Sequence, residues 1–336
     1  MTVSRPAEYK DVRTADLSTI QFSNLFDKDE AELKKLLKAC EKDGFFYLDL
    51  QSEGSEKFWK DLYEIDSITK EWFSQPADVK LKTPTVSLSH GSSETSFKAV
   101  GNQSGAVESL KDGFEALKIG KFELDGRWAL PSVAQDNLVL FDQFTAACHF
   151  ISKLLLDCIS DELGLKGDAR LETYHRDDCR SKSTLYFLHY PHGAQDPSQV
   201  GQNMHTDIGS LTILYAPQWG LQVFSPNDGA WEYVEPRPGH AIVNVGDTLR
   251  FLSNKRLRSA LHRVLPLGGI QKEDRYSISY FLRASDSTEF KDSDGDESSA
   301  KHWYLKKYEM YELPHSIQKE KTTLSGGMAQ ELLASF

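Results

Sequence analysis

Residues 204–215 read Met-His-Thr-Asp-Ile-Gly-Ser-Leu-Thr-Ile-Leu-Tyr, a polar segment that runs directly into an apolar one. The apolar end, Leu211–Tyr215, has the composition of a short strand. His205 and Asp207 lie two residues apart at the entrance to that strand. Because residues i and i+2 of an extended segment point to the same face, the imidazole and the carboxylate are predicted to converge on one point.

Short β-rich runs separated by turn residues recur through the second half of the chain. Seven strands at this spacing predict a sandwich or a barrel, in a protein that is mainly β. The predicted strands are Thr184–Tyr190, Leu211–Tyr215, Leu221–Phe224, Trp231–Val234, Ala241–Val245, Leu261–Leu265 and Tyr276–Leu282.

The first half of the chain is predicted to be mostly helical. Apolar residues between Val133 and Leu165 recur at the spacing of one helical face, which is typical of a long scaffold helix. An earlier helix is predicted after Asp29, because Asp29 and Glu32 form a capping-box pattern. Residues 84–105 are rich in Ser, Gly and Thr and are predicted to form a loop or lid. We therefore expect α-helices to flank the β structure.

Three regions are distinguished within what is predicted to be one compact unit. Residues 1–180 form a helical and mixed N-terminal region, 181–285 the β-rich core, and 286–336 an acidic loop followed by a C-terminal helix. The alternating aspartates of that loop are similar to a calcium-binding loop, but Gly295 comes one place too early. We therefore predict a solvated loop.

His262 is the best candidate for a third metal ligand beside His205 and Asp207. It interrupts another β-rich run, Ser259–Val264. Two histidines and one carboxylate form the facial triad that binds non-haem Fe(II) and leaves adjacent coordination positions open. The alternative is a pair of ordinary surface or core histidines near an aspartate, because short His-x-Asp motifs often arise by chance.

A later strand carries an arginine and a serine on one face. Arg275 and Ser277 are two residues apart, and a guanidinium with a neighbouring hydroxyl is suited to hold a carboxylate. An arginine directed into the interior is costly unless an anion meets it. The alternative is a surface arginine that pairs with an acid such as Asp274.

Taken together, these motifs resemble the 2-oxoglutarate and Fe(II)-dependent dioxygenases, and specifically their isopenicillin N synthase-like branch. The resemblance extends over residues 20–313, which is most of the chain. The motifs that carry it are His205–Thr212, Gly220–Val223, Pro236–Gly239, Val243–Asp247, Ser259–Val264 and Arg275–Ser277.

The resemblance implies a fold and a metal. The fold would be a double-stranded β-helix, or jelly roll, with flanking α-helices and with the long helix bracing one sheet. His205, Asp207 and His262 would be the catalytic residues that bind Fe(II).

The resemblance also implies a cosubstrate site. Arg275 and Ser277 would hold the distal carboxylate of 2-oxoglutarate, and Tyr190 would contact the same molecule. The strand that contains Tyr190 departs from the family pattern, because Tyr186 and Leu188 stand where relatives commonly carry Arg and Asn.

The implied reaction consumes O₂ and 2-oxoglutarate, releases succinate and CO₂, and oxidises a small organic molecule. Hydroxylation is the default outcome, while desaturation, epoxidation and ring rearrangement remain open. Three alternatives also remain: an Fe(II) oxidase of the same fold that does not use 2-oxoglutarate, a zinc hydrolase, and a non-enzymatic small-ligand binding protein.

An apolar wall for the substrate is predicted from large side chains on strands near the metal. The expected substrate is a small, partly aromatic or terpenoid-like biosynthetic intermediate of secondary metabolism, because nothing in the chain offers a polyanion or peptide surface. The predicted wall residues are Phe187, Leu211, Tyr215 and Phe281.

The composition argues against other classes of protein. The chain has 336 residues, with 39 Lys and Arg against 50 Asp and Glu, and its net charge of −11 disfavours nucleic acid as a partner. The four cysteines are far apart, and we find neither a secretory signal nor an apolar run of membrane-spanning length. We therefore expect a cytoplasmic protein that contacts no membrane and has no obligate protein partner.

Overall fold

The computed structural model describes residues 9–83, 95–105, 111–192, 201–225, 229–269 and 271–328. Most of its strands form two sheets. The strands are β1 (Thr19–Gln21), β2 (Phe45–Asp49), β3 (Ser96–Lys98), β4 (Glu115–Gly120), β5 (Thr184–Tyr190), β6 (Gln202–His205), β7 (Leu211–Tyr215), β8 (Leu221–Ser225), β9 (Ala230–Tyr233), β10 (His240–Val245), β11 (His262–Val264), β12 (Arg275–Leu282), β13 (Glu289–Lys291) and β14 (Glu297–Ser299). The larger sheet has eight strands in the order β1-β2-β10-β7-β12-β5-β4-β3, and the smaller has four in the order β6-β11-β8-β9.

The two sheets share an apolar interior. Phe45 and Tyr47 of β2 pack in one buried cluster with Leu221 and Val223 of β8. Every pairing within the two sheets is antiparallel except that of β1 with β2. The predicted jelly roll with flanking helices is confirmed, and each of the seven predicted strands ends within one residue of its predicted bounds.

Helices cover the outer face of the larger sheet. The long helix α6 packs on α2, α3, β7 and β12 through a buried stripe that includes Phe141 and Leu155. The predicted helix over 133–165 is divided in two, because residues 136 and 137 interrupt it between α5 and α6. The helices are α1 (Phe22–Phe26), α2 (Glu30–Lys42), α3 (Glu56–Phe73), α4 (Ala77–Lys80), α5 (Ser132–Gln135), α6 (Leu138–Glu162), α7 (Asp247–Leu252), α8 (Ala300–Glu312) and α9 (His315–Glu320).

Helix α6 is, by length and composition alone, apolar enough to cross a membrane, which corrects the expectation that the chain has no such stretch. A helix in the core of a folded domain meets the same criterion. The packing of α6 on the larger sheet and on two neighbouring helices accounts for its apolar side chains.

Half of the predicted capping box at the start of α2 is present. The side chain of Asp29 accepts a hydrogen bond of 2.9 Å from the backbone N–H of Glu32. Glu32 does not return the bond to Asp29, because its carboxylate accepts from the backbone N–H of Gln21, also at 2.9 Å. The second half of the motif therefore ties α2 to the edge strand β1.

The prediction of a loop or lid over 84–105 is wrong for residues 96–98, and residues 84–94 lie outside the described residues. Strand β3 is buried and pairs with β4. Its polar residue Lys98 can be buried because its ammonium contacts the carboxylate of Asp112 and donates to the carbonyl of Phe114 at 2.7 Å. Strand prediction depends on apolar side chains, so it misses a buried strand whose Lys98 is stabilised by an ion pair.

The acidic segment 286–297 is exposed at residues 294–297, as predicted for a solvated loop, but the rest of it is ordered in a hairpin. Strands β13 and β14 form an antiparallel hairpin around it, and Asp292 is buried. The carboxylate of Asp292 accepts hydrogen bonds from the backbone N–H of Asp294 at 2.9 Å and from the ammonium of Lys306 at 2.8 Å. The cation from α8 balances the buried charge and holds the hairpin against the helix.

Candidate active site

His205, Asp207 and His262 lie together inside the jelly roll. Strands β6 and β11 pair with His205 directly opposite His262, and Asp207 follows β6 by two residues. The Nε2 atoms of both histidines are 3.7 Å from Oδ1 of Asp207. One potential ligand atom from each of the three buried residues lies within 4.8 Å of the others. This arrangement is a preformed tridentate site for a metal ion.

Backbone carbonyls fix the orientation of both imidazoles. The Nδ1–H of His205 donates to the carbonyl of Asn203 at 2.8 Å, and that of His262 donates to the carbonyl of Ala260 at 3.1 Å. Each ring therefore turns its unprotonated Nε2 toward Asp207, which is the form that binds a metal. Burial, followed by the proximity of His262, lowers the pKa of His205 to about 3, so this ligand is neutral at physiological pH.

Two polar side chains orient Asp207. Its Oδ2 accepts hydrogen bonds from the hydroxyl of Thr212 at 2.5 Å and from the side-chain amide of Asn244 at 2.7 Å. Burial acts to raise the pKa of Asp207, but His262, His205 and these two hydrogen bonds outweigh it, and the pKa lies below its usual value. The carboxylate is therefore ionised, with Oδ1 left to face the histidines. Sequence reasoning did not identify Thr212 or Asn244 as site residues.

We expect Thr212→Val, which removes one of these hydrogen bonds with little change in volume, to weaken Fe(II) binding about 10-fold, because partners of metal ligands contribute roughly 10- to 100-fold to affinity. Anaerobic calorimetric titration with Fe(II) measures the change. Ser279→Ala is the matched control, because Ser279 lines the same cavity and makes no hydrogen bond to Asp207. An unchanged Fe(II) affinity in Thr212→Val would show that the hydroxyl does not tune the ligand.

Arg275 lies in the same cavity as the three candidate ligands and is 2% exposed. Its Nε donates to the carbonyl of Trp219 at 3.0 Å, whereas its Nη1 is buried and has no hydrogen-bond partner in the described part of the chain. Gly220 makes room for the guanidinium, because a Cβ at this residue, with φ of +133°, would lie 3.0 Å from Nε of Arg275. Burial lowers the pKa of Arg275, because removing the guanidinium from water disfavours its charged form.

Ser277 and Tyr190 lie beside Arg275. Ser277 is two residues along β12 and lines the same cavity, and the ring of Tyr190 lies 5.0 Å below the guanidinium carbon. Strand pairing places Tyr190 directly opposite Arg275. The Tyr190 hydroxyl, like Nη1 of Arg275, is buried without a hydrogen-bond partner. Two unsatisfied donors therefore meet in one cavity, and an oxyanion there would satisfy both.

The predicted apolar wall is wrong for three of its four residues, because the structure leaves only Phe281 on the cavity side of the larger sheet. Phe281 lines the cavity, whereas Phe187, Leu211 and Tyr215 project from the opposite face of the larger sheet. Phe187 packs there against Phe141 of α6. Both faces of this sheet are buried, so an apolar side chain alone does not indicate which face it occupies.

The residues of β5 and β7 that do line the cavity alternate along the strands with the ones that were predicted. Tyr186, Leu188 and Tyr190 of β5 face the cavity together, as do Thr212 and Leu214 of β7. Arg275 could have indicated these residues, because alternate residues of β12 face the same side as Arg275. Residues of β5 and β7 that pair with them face that side too.

Two family models match the chain. The model described as the 2OG-Fe(II) oxygenase superfamily matches residues 181–284, and that described as non-haem dioxygenase in morphine synthesis, N-terminal, matches residues 14–132. A 2-oxoglutarate-dependent dioxygenase of Gibberella zeae is 80% identical over 333 residues, which covers 99% of each chain. The chain belongs to the 2OG-Fe(II) oxygenase superfamily. The oxygenase is also 39% identical to the 2-oxoglutarate-dependent dioxygenase gloE of Glarea lozoyensis, over 96% of this chain and 95% of that protein.

A solved structure shares the fold of the oxygenase. A full-length protein of Neurospora crassa, solved in complex with alpha-KG, superimposes with a TM-score of 0.68 at 23% identity, covering 86% of this chain and 94% of that one. The oxygenase is an enzyme, a 2-oxoglutarate-dependent dioxygenase that uses Fe(II) and O₂. The alternatives of a zinc hydrolase and of a non-enzymatic binding protein are thereby set aside.

Proposed function

We propose that the oxygenase binds Fe(II) through His205, Asp207 and His262, and that Arg275 and Ser277 hold the distal carboxylate of 2-oxoglutarate. The observation that carries this proposal is the buried guanidinium of Arg275, which shares a cavity with the three ligands and whose Nη1 has no hydrogen-bond partner among the described residues. A dicarboxylic acid that reaches from Arg275 to the metal satisfies the buried cation and the metal together.

When bound, Fe(II) and 2-oxoglutarate supply the oxidising power that activates O₂ and removes hydrogen from the substrate. The ligands come from two neighbouring strands and the turn after one of them, so they occupy one side of the metal and leave the other side for ligands that exchange. Leu188, Leu214 and Phe281 form apolar parts of the wall, which keep water from the reacting groups. Arg275 orients the cosubstrate from the far end of the cavity.

We expect Arg275→Ala to raise the 2-oxoglutarate concentration needed for half-maximal rate about 10- to 100-fold, because a hydrogen bond to a charged group contributes about 1.5–3 kcal/mol. Succinate formation measured against 2-oxoglutarate concentration tests this expectation. Arg256→Ala is the control, because Arg256 is a half-exposed arginine that pairs with Glu41 on the surface. An unchanged requirement for 2-oxoglutarate in Arg275→Ala would show that Arg275 does not hold the cosubstrate.

The substrate we propose is a small organic intermediate of secondary metabolism, with hydroxylation as the default outcome. The small size of the cavity and its mixture of aromatic and polar walls support a metabolite rather than a polymer. Equal molar amounts of consumed O₂, succinate and hydroxylated product would support hydroxylation. A product that has lost two hydrogens without gaining oxygen would instead assign a desaturase.

We also propose a cytoplasmic location. All four cysteines are free thiols and three of them are buried, which fits a reducing compartment. Recovery of the protein in the membrane or secreted fraction of the producing cells would contradict this proposal.

A further inference from the structure

A second chamber adjoins the metal site on the side away from Arg275. It shares five wall residues with the first cavity, among them His205, Asp207 and Phe281. Its remaining walls include Lys118, Arg283 and the side chains of α8 that face the sheet. The proposed cosubstrate site occupies the first cavity, so this chamber is the space next to the metal that is left for substrate.

Two cations line this chamber. Arg283 follows β12 with the same parity as Arg275 and Phe281, so one face of the strand carries a guanidinium at each end and the metal site between them. The two arginines are eight steps apart along the chain, a span of roughly 27 Å at about 3.4 Å per step. The second cation is the ammonium of Lys118 in β4, which lies 3.1 Å from the hydroxyl of Tyr304 and 4.3 Å from the ring centre of Tyr308.

Arg283 is buried, with 8% of the residue exposed. No carboxylate of the described residues lies within 4.0 Å of its guanidinium. Its Nη1 donates to the carbonyl of Lys182 and, at 3.0 Å, to the hydroxyl of Thr184. Its Nε is buried and has no hydrogen-bond partner within the ranges that the structure describes. A buried cation without a counter-charge is costly, so an anion bound in the chamber would relieve a real penalty.

Neither Asp207 nor 2-oxoglutarate supplies the negative charge that would compensate Arg283. Among the described residues that line the chamber, Asp207 is the only carboxylate, and it faces the two histidines and the metal. The charges of Fe(II) and Arg275 together balance Asp207 and the two carboxylates of 2-oxoglutarate. Arg283 therefore has no role in neutralising the loaded metal site.

We propose that the second chamber binds the substrate, and that the substrate is a small carboxylic acid whose carboxylate is held by Arg283 with support from Lys118. This proposal rests on the function proposed above and names the substrate class for the same site. The aromatic rings of Tyr186, Phe281 and Tyr308 face the chamber and would flank an apolar or unsaturated body. Such an acid would extend from Arg283 toward the metal, as 2-oxoglutarate does from Arg275.

The test compares two probes that differ in charge but have nearly the same shape, 4-fluorobenzoate and 4-fluorobenzamide. The full-length protein is loaded with Zn(II), a redox-inert substitute for Fe(II), and with N-oxalylglycine, a non-reacting analogue of 2-oxoglutarate that fills the site at Arg275. Binding of each probe is measured by fluorine NMR. We expect the benzoate to bind at least about 10-fold more tightly than the amide, as a charge-assisted hydrogen bond predicts.

Variants assign this preference to the chamber. Arg283→Gln is expected to abolish it, Arg283→Lys to retain most of it, and the surface control Arg256→Gln to leave it unchanged. Because Arg283 also bonds to the backbone, Lys118→Gln is an independent variant, expected to reduce the preference. When Mn(II) replaces Zn(II), the benzoate signal is expected to broaden, because the chamber adjoins the metal.

Equal affinities for the two probes, or no binding of either at about 10 mM, would overturn the proposal. So would a preference that survives both Arg283→Gln and Lys118→Gln, or a benzoate signal that Mn(II) does not broaden. Failure of N-oxalylglycine to bind would instead contradict the proposed cosubstrate site. The two proposals are therefore tested by separate signals from one sample.

Discussion

Asp207→Ala is expected to abolish turnover and leave the protein folded. The variant removes the only carboxylate among the three candidate ligands and leaves His205 and His262 to bind the metal alone. Removing a partner of a metal ligand weakens metal binding roughly 10- to 100-fold, so we expect removal of the ligand itself to weaken it more than about 100-fold. Succinate formation at saturating Fe(II) and 2-oxoglutarate measures the loss of activity.

The same variant separates metal binding from folding. In the wild type, a metal at 100 times its dissociation constant adds about 2.7 kcal/mol to the free energy of unfolding, and Asp207→Ala is expected to lose this increment. The metal-free variant is expected to lose about 1–3 kcal/mol, because the donors of Thr212 and Asn244 remain buried without their acceptor.

Asp178→Ala is the matched control, because Asp178 is an exposed carboxylate that pairs with Arg176 far from the three ligands in the chain. It is expected to retain both turnover and stabilisation by metal. If two of the three variants Asp207→Ala, His205→Ala and His262→Ala kept full activity, the assignment of the metal ligands would be wrong.

The candidate metal ligands could be predicted because their residue types and their alternate positions along a strand both indicate one site. His205 and Asp207 are polar residues at alternate positions beside a strand, where side chains of one parity face the same way. The same rule placed Arg275 and Ser277 on one face of β12, and the structure puts both in the cavity with the histidines. A polar side chain at a buried strand position indicates a functional site, because a buried polar group needs a hydrogen-bond partner or a ligand.

The apolar wall could not be predicted in the same way. Phe187 and Leu211 are buried, as expected, but on the outer face of the sheet, in the core cluster that also contains apolar residues of α6. An apolar residue is predicted to be buried, but when both faces of a sheet are covered its hydrophobicity does not predict which face it occupies. Phe281 lies on the cavity side because it is an even number of residues from Arg275 along the same strand.

Strands β3 and β4 escaped prediction for a different reason. They contain Lys98, Glu115 and Lys118, which are buried and which the composition assigns to loops. Lys80 compensates Glu115 across 2.7 Å, and this partner lies far away in the sequence. Partners at such a separation cannot be recognised from one sequence, although they decide whether a charged residue can enter a sheet.

A buried ion pair joins the C-terminal helix α8 to the metal site. The side chains of Lys307 and Asp247 are both fully buried, and their charged groups are in direct contact. The Lys307 ammonium also donates to the hydroxyl of Thr206 at 2.6 Å, and Thr206 lies between the ligands His205 and Asp207. Asp247 accepts a further hydrogen bond of 2.8 Å from Ser259, three residues before the ligand His262. One ammonium thus connects α8 to both ligand-bearing segments.

Lys307→Met is expected to reduce the free energy of unfolding by about 3–5 kcal/mol, because removing one partner leaves the other as an uncompensated buried charge. Lys301→Met on the same helix is the control, because Lys301 is exposed, and a surface substitution of this kind changes stability by at most about 0.5 kcal/mol. Urea unfolding of the metal-free proteins gives both values.

The double variant Lys307→Met/Asp247→Asn tests the cause. If the loss in Lys307→Met arises from the charge left on Asp247, the second substitution removes that charge and is expected to recover more than about 1 kcal/mol, since contacting residues couple by about 0.5–3 kcal/mol. A double variant that loses the sum of the two single losses would show that Lys307 acts through packing rather than through its charge. Weaker Fe(II) binding in Lys307→Met than in Lys301→Met would show that the same ammonium also orders the segment from His205 to Asp207.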